Sequence, residues 1–531
     1  MTVAATLSTE TYWSNFDVDD QDIDFIINFL LEREVPLTST EMSYAIVERH
    51  LKRLEKEAEK AKAPTHEIYL PAGSYDVGQK LTFPALNNSI GEVVGLRAGE
   101  NPEIGDFDVI EVAFEGNGQT REFAAKLEDH PLNNPVEDEA EELALQTPDS
   151  VMEHYGELIE RRLEDCLEQS NDIVRIAWKW FPRALVADIN EGHLNLAEAV
   201  LDVAGGGPLP TADMLEHVDL PANLSPQLAE FSLNYALQED ERFDEVGPAG
   251  EILWFLRRLE PPEVQFTPPR LAFEGEPVDH SRFTPELLDL ERRLDDELSQ
   301  VEPLEPGDAE VTISLIFPHW RVGTLPLSAR LKPLFPTAYE APRIRFMLVD
   351  GHSGDTFPGW VVREEGYVFG LEEWYREYDV PVGGLVRVRK GEEAGQVVVE
   401  TLDRRMRNDW IRTVSVSEGN QVGFTMLKQP VGTAYDDLMV IGLVDKQVID
   451  EVWLKQDKKK IPLERTVAHL FRDLAKLTPQ GAVHAQTLYA AVNVVKRQPP
   501  AAVFQELVTR PYYEHVGDLY WRFEPSAWSG S

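Results

Sequence analysis

The final stretch, residues 464–523, constrains the fold more than any other. Val467, Leu470, Phe471, Leu474 and Leu477 recur at helical spacing. After a break at Pro479 and Gly481, residues 484–495 predict a second helix and 499–508 a third, with Pro499 and Pro500 suited to its first turn. Tyr512-Tyr513-Glu514-His515-Val516 and Leu519-Tyr520-Trp521-Arg522-Phe523 then flank Gly517-Asp518, a two-residue hairpin signal. The pattern is three short helices closed by a β-hairpin.

That order is a winged helix-turn-helix. A looser copy lies at 205–256, with helices at 211–217 and 225–237 and a wing at 243–256. The last module and this copy resemble the HARE-HTH type of winged helix, seen in the delta subunit of bacterial RNA polymerase. The resemblance rests on His-Ala-Gln-Thr-Leu-Tyr at 484–489 and on wings at 512–523 and 243–256. A third, partial version opens the chain. Ile23, Ile26, Ile27 and Leu30 share one helical face, Val35-Pro36-Leu37 breaks it, and Thr38 with Glu41 forms a capping box for a helix to about Lys62. Glu48 and Lys52 support that helix's exposed side, but no hairpin follows it.

Residues 67–130 change period. Short strands at 67–70, 80–83, 91–96, 107–114 and 121–125, separated by turn clusters, predict a small SH3-like barrel. Residues 133–150 read as an acidic linker. Residues 151–204 read as helical, with Trp178, Trp180 and Phe181 ending a helix at Pro182, and Gly205-Gly206-Gly207-Pro208 reads as a hinge. A helix capped by Thr284 and Pro285 carries the stripe Leu287, Leu290, Leu294, Leu298 and Val301, which suits packing on a neighbouring domain.

From Val311 the chain is β-rich. Gly323-Thr324-Leu325-Pro326-Leu327, a strand ending Val349-Asp350-Gly351, Gly370-Leu371-Glu372-Glu373-Trp374-Tyr375 and Pro381-Val382-Gly383-Gly384-Leu385-Val386 follow in order. This stretch, roughly 311–402, resembles the DNA-binding pseudobarrel of plant transcription factors and restriction-enzyme effector domains. It departs from them at Gly384, where an acidic residue is usual, and at Gly370-Leu371 in place of Gly-Trp. The resemblance implies DNA binding. The expected class is therefore multidomain α+β, winged helix-turn-helix modules combined with small β-barrels. The expected divisions are 1–64, 65–132, 133–150, 151–260, 261–308, 309–416, 417–457 and 458–531.

Charge divides the chain. Net charge is −44, yet residues 311–531 hold 27 basic and 27 acidic side chains, while 1–310 hold 23 and 67. The acidic half repels nucleic acid at long range and suits a protein partner; the neutral half is the part that can present a basic patch to DNA. Acidity serving solubility alone is the competing account. Cys166 is the sole cysteine, which excludes an intramolecular disulfide and a zinc ribbon. No apolar run approaches the ~18 residues of a membrane span, and residues 1–24 lack a signal-peptide pattern, so the expectation is cytoplasmic.

The third helices ill suit a phosphate backbone: 499–508 offers Gln505 beside Glu506, and 225–237 carries Glu230 and runs into Glu239, Asp240 and Glu241. Candidate nucleic-acid contacts are therefore Arg321, Arg330, Lys332, Arg404, Arg405, Arg407, Lys458, Lys459, Lys460, Lys496 and Arg497. Each also fits an ordinary solvated cluster. Trp360, Trp374 and Tyr375 fit base stacking or a core. Catalysis finds no constellation. No two of the twelve histidines stand i,i+4, and His319, His352 and His484 suit turns or caps. Asp106, Asp108, Glu111 and Lys126 lack a following Glu-x-Lys, and Cys166 among acidic neighbours reads as inert. No metal, cofactor or small-molecule substrate is expected. The reading is a non-enzymatic, transcription- or DNA-associated protein; the alternatives are a protein scaffold without nucleic-acid binding and an enzyme with an unfamiliar site.

Overall fold

Asp19 starts the first long helix, Asp20–Arg33: its carboxylate accepts the Asp22 N–H at 2.9 Å, and the Asp22 carboxylate accepts the Asp19 N–H. The computed structural model describes residues 9–62, 66–86, 89–100, 107–114, 120–128, 130–133, 147–176, 178–221, 224–275, 278–302, 309–393, 395–417, 421–459 and 461–528. These form mixed α-helix and β-sheet in two units, Met1–Val186 and Ala187–Ser531.

In the first unit the predicted capping box forms. Thr38 N–H donates to Glu41 Oε2 at 2.8 Å and Glu41 N–H to Thr38 Oγ1 at 3.2 Å, opening the helix Ser39–Lys62. The hairpin missing from the sequence reading is present after all, a hundred residues on. Helix Pro148–Leu167 packs on Ser39–Lys62, and strands Ile173–Ile176 and Lys179–Pro182 follow. Residues 178–182 thus end no helix. β-Branched Ile173, Val174 and Ile176 and the aromatic pair Trp180-Phe181 suit strands, and Trp178, at φ 59°, takes part in the reversal between them. Ser39 Oγ accepts from Trp180 Nε1 at 3.0 Å and donates to Glu164 at 2.5 Å, joining second helix, third helix and hairpin at one buried point. Between second and third helices lies a five-stranded sheet: Glu67–Ile68, Lys80–Phe83, Ser89–Ala98, Asp108–Phe114 and Thr120–Ala125 in sequential order. Leu81, Phe83, Val93, Ile110 and Val112 fill its core. Most of the expected linker, 134–146, lies outside the described residues.

The second unit repeats the helix–strand–helix–helix–strand–strand order twice. The first instance is Glu191–Val203, Leu209–Pro210, Thr211–Leu215, Pro226–Gln238, Phe243–Glu245 and Leu253–Leu256. The last is Leu463–Ala475, Ala482–His484, Ala485–Val495, Pro500–Thr509, Tyr513–Gly517 and Tyr520–Phe523. In all three copies the short strand pairs antiparallel with the final strand, which also pairs with the one before it. An aliphatic residue faces a buried tryptophan at that pairing each time: Leu37 and Trp180, Leu209 and Trp254, Val483 and Trp521. The Gly205–Gly207 run is a packed turn, not a free hinge. A Cβ on Gly207, at φ 110°, would come within 2.5 Å of Trp254 O, and Gly206 O accepts the Leu256 N–H at 2.8 Å.

Between these copies lies an open seven-stranded half-barrel. Its order is Glu310–Ser314, Leu385–Lys390, Gln396–Thr401, Arg343–Asp350, Thr356–Val362, Tyr367–Phe369 and Thr324–Pro326, all antiparallel except Arg343–Asp350 with Gln396–Thr401. Short helices Phe317–Val322 and Glu372–Glu377 accompany it. Val246, Phe255, Val264, Trp360, Val362 and Tyr367 form one apolar seam between the sheet and the preceding helical copy. Inside that seam Arg343 pairs with Asp244, and Glu260, its side chain fully enclosed, lies 3.9 Å from Arg343. Burial first, then the Asp244 charge, push the Glu260 carboxyl up to about 8 from an ordinary 4.5; Arg343 and Arg257 oppose this incompletely.

The last copy is held from two sides. Val467, Leu470, Phe471 and Leu474 of its first helix are buried, each contributing roughly 1.5–3 kcal/mol. Helix Pro285–Leu294, capped by Thr284 as expected, lays Leu287 and Leu290 against its third helix and ends at Asp295 in the left-handed region, φ 50°. Leu298 and Val301 therefore lie beyond the helix. Asp296 and Glu297, just past this end, take the buried Arg497 at 2.6 and 2.7 Å. Tyr489 OH donates to Asp296, and His319 Nε2 lies 3.0 Å from Glu297. Burial alone would raise Glu297, but Arg497 and His319 hold it well below the usual carboxylate range.

Two variants test these seams. Between pH 4.5 and about 8 the folded state holds the Glu260 proton and the unfolded chain does not, so stability declines as pH rises through that window. Glu260→Gln is expected to flatten the decline and gain about 2–4 kcal/mol at pH 9, with little change at pH 4.5, in denaturant titrations. An unchanged pH slope would contradict this. Arg497→Met strands two buried carboxylates and is expected to cost about 3–5 kcal/mol; a loss under about 0.5 kcal/mol would mean that the cluster holds nothing together.

Candidate nucleic-acid interface

Past the half-barrel the chain forms a long antiparallel ribbon, Asp403–Val416 with Val422–Thr433, which a short third strand, Ile441–Leu443, joins in parallel at Arg412–Val414. Both ends are fixed. Ala434 N–H donates to Leu402 O at 2.7 Å, next to the half-barrel. At the other end Val414, Val422 and Phe424 enter the core of the last module, and Phe424 N–H donates to Asp473. The middle has no such cover: from Arg405 to Trp410 and from Thr425 to Lys428 every residue except Asp409 is exposed.

Strand alternation sorts this middle into two faces. One carries Asn408, Trp410 and Arg412 opposite Pro430, Lys428 and Met426. Trp410 is 65% exposed, and its direct cross-strand partner is Lys428. The other face carries Arg407, Asp409 and Ile411. Asp409 accepts from Arg407 Nε at 3.1 Å and from Tyr435 OH at 2.8 Å. Residues 403–433 hold five basic and three acidic side chains, a local excess of positive charge within a chain of −44.

A cleft of about 830 Å³ opens where the ribbon meets the half-barrel, lined in part by Trp320, Arg321, Arg376, Met406, Val431 and Lys446. Lys446 Nζ lies 4.3 Å from the centroid of the Trp320 ring. Burial first, then Arg321 and Arg376, lower the Lys446 ammonium from its usual value. Glu372, Glu377 and Asp379 share the lining and balance these cations in number.

The predicted basic residues scatter. Arg405 and Arg407 are exposed on the ribbon; Arg404 lies on the same strand, its side chain outside the described residues. Arg321 reaches the cleft but is engaged by Asp450 at 2.8 Å, which also pairs with Arg270. Lys332 is exposed and Arg330 half-buried, and neither lines this cleft. Lys458 and Lys459 end the helix Lys446–Lys459 with side chains outside the described residues, and Lys460 lies outside them altogether. Lys496 is half-buried and donates to Ile461 O at 3.4 Å. Arg497 must be withdrawn as a nucleic-acid contact. It is 2% exposed, and its guanidinium is spent on Asp296, Glu297 and Asn493.

Other candidates also move. Trp360, Trp374 and Tyr375 are 3%, 4% and 4% exposed, so they belong to the core. The third helix of the last module buries Pro500, Ala501, Ala502, Val503, Phe504 and Leu507, with Phe504 beside Phe283, and has no open face for a groove. His484 caps a helix by accepting the Gln486 N–H, and the His352 N–H donates to Asp350 in a turn; His319 instead joins the buried ion cluster. Lys126 pairs with Asp108 at 2.7 Å, and Asp106 lies outside the described residues. Burial first, then Asp17, Asp165 and Asp20, raise the Cys166 thiol. Among the described residues no His, Cys, Asp and Glu group could hold a metal ion, and no helix is long and apolar enough to cross a membrane. Comparison with family models, curated proteins and solved structures finds no match to the chain.

Trp410, Met406 and Lys428 were missed as site residues. The only signal available was three arginines within four positions followed by a tryptophan, on a strand whose exposure depends on what surrounds it.

Proposed function

We propose that this is a non-enzymatic, DNA-associated protein of the transcription machinery, in which winged-helix modules and β-barrels serve as recognition and scaffold elements. The observation that carries it is the exposed basic ribbon, set in a chain whose net charge of −44 otherwise repels polyanions. A two-stranded ribbon fits the major groove of a duplex, and arginines along it can neutralise phosphates. The half-barrel at its foot is taken as the DNA-binding pseudobarrel, the five-stranded sheet as an SH3-like barrel, and the three repeated copies as winged helices. Their third helices are either covered, as in Pro500–Thr509, or acidic-ended, as in Pro226–Gln238 before Glu239 and Asp240. In this reading they meet protein or hold the frame, and the acidic half supplies the contact with a protein partner.

Binding of the full chain to duplex and single-stranded DNA across a salt series tests the reading. Affinity is expected to fall linearly with log salt. Arg405→Ala combined with Arg407→Ala is expected to weaken binding about tenfold or more and to make the slope shallower by up to about 2. Absence of binding even at low salt would leave the protein-scaffold alternative.

A further inference from the structure

We infer that the ribbon's Trp410 face is a stacking platform for single-stranded nucleic acid. The inference rests on the reading above and names its substrate class. Trp410, 65% exposed, shares its face with the exposed Met426, and an open apolar patch of this kind in the middle of a ribbon marks a contact surface more than a lone exposed ring does. Lys428 lies directly across the ladder; in the next pair on that face Met426 is exposed, while Arg412 is half-buried and donates to Asp437 O. Arg405 and Arg407 are exposed on the same strand but away from the ring's face, Arg407 against Asp409, and Met406 between them is 71% exposed. A cation directly beside an open aromatic ring, on a ribbon with further arginines close by, can hold a phosphate while presenting a π-face to a base.

Charge selects this occupant over a generic apolar partner. The ring's direct cross-strand neighbour is Lys428, and a purely apolar contact between two copies of this chain would have to bury that ammonium. Strand state follows from the ring. Bases in a duplex have their faces covered by neighbouring pairs, so a stacking tryptophan gains from a strand whose bases are free. Duplex contact through phosphates alone would need the arginines but not Trp410. Ribbon residues from Arg405 to Trp410 span ~17–20 Å, long enough for several successive nucleotides.

The test uses the full chain with a labelled oligo(dT) and with a labelled mixed-sequence duplex. Trp410→Ala is expected to weaken oligo(dT) binding five- to a hundredfold and leave duplex binding within twofold. Trp410→Phe, which keeps an aromatic face, is expected to retain most of the affinity. Oligo(dT) should quench tryptophan fluorescence of the wild-type chain and quench Trp410→Phe much less. If Trp410→Ala binds oligo(dT) like wild type while Arg405→Ala plus Arg407→Ala loses binding, the stacking inference fails and the DNA reading stands. If no form binds either probe, both fail. If Trp410→Ala instead abolishes self-association seen in sedimentation, the face is a contact between chains and the inference is overturned.

Discussion

Arg497 and the two carboxylates that enclose it organise the second unit. Removing three charges from water is costly and is offset only by close pairing and further hydrogen bonds. Here Asp296 holds Arg497 and Tyr489, Glu297 holds Arg497 and His319, and Arg497 also donates to Asn493 Oδ1 and Gln498 O, while its Nε stays buried without a hydrogen-bond partner. The cluster joins three distant parts of the chain: the segment after helix Pro285–Leu294, the half-barrel's first helix through His319, and the last module. In the last module helix Pro285–Leu294 covers the third helix, while the middle of the ribbon stays uncovered.

Exposed positive charge therefore lies away from the third helix of the last module. A module of this shape is expected to offer its third helix, yet in the last copy that helix is interior. The exposed basic strip lies instead on a connecting ribbon between half-barrel and module. Recurrence of one strand order three times, each with an aliphatic residue facing tryptophan, suits a repeated frame whose surfaces have diverged. The frame stays the same while the charge on it changes from strongly acidic to balanced.

Local signals were readable from the residues and distant ones were not. The Thr38–Glu41 box, the Thr284 cap, the half-barrel's longer strands and the Gly517-Asp518 hairpin all depend on neighbours within a few positions. The first copy escaped because an entire five-stranded sheet separates its second helix from its third, which put Trp180 far from Leu37 in sequence. Thr324–Pro326 is a strand of three residues, too short for alternation to register. Lys496-Arg497 looked like a surface pair because Arg497's partners lie some two hundred positions away. Trp410 carried no local signal, because its 65% exposure depends on which elements fold over the ribbon.

The central claim is that nucleic acid is met by the ribbon and not by the helices of the repeated modules. Photo-crosslinking of the full chain to DNA, with the attached peptides mapped by mass spectrometry, tests that claim most directly. The account predicts crosslinked peptides from residues 404–412 and 425–430. Crosslinks confined to Pro226–Gln238 or Pro500–Thr509, with the ribbon unmodified, would contradict it.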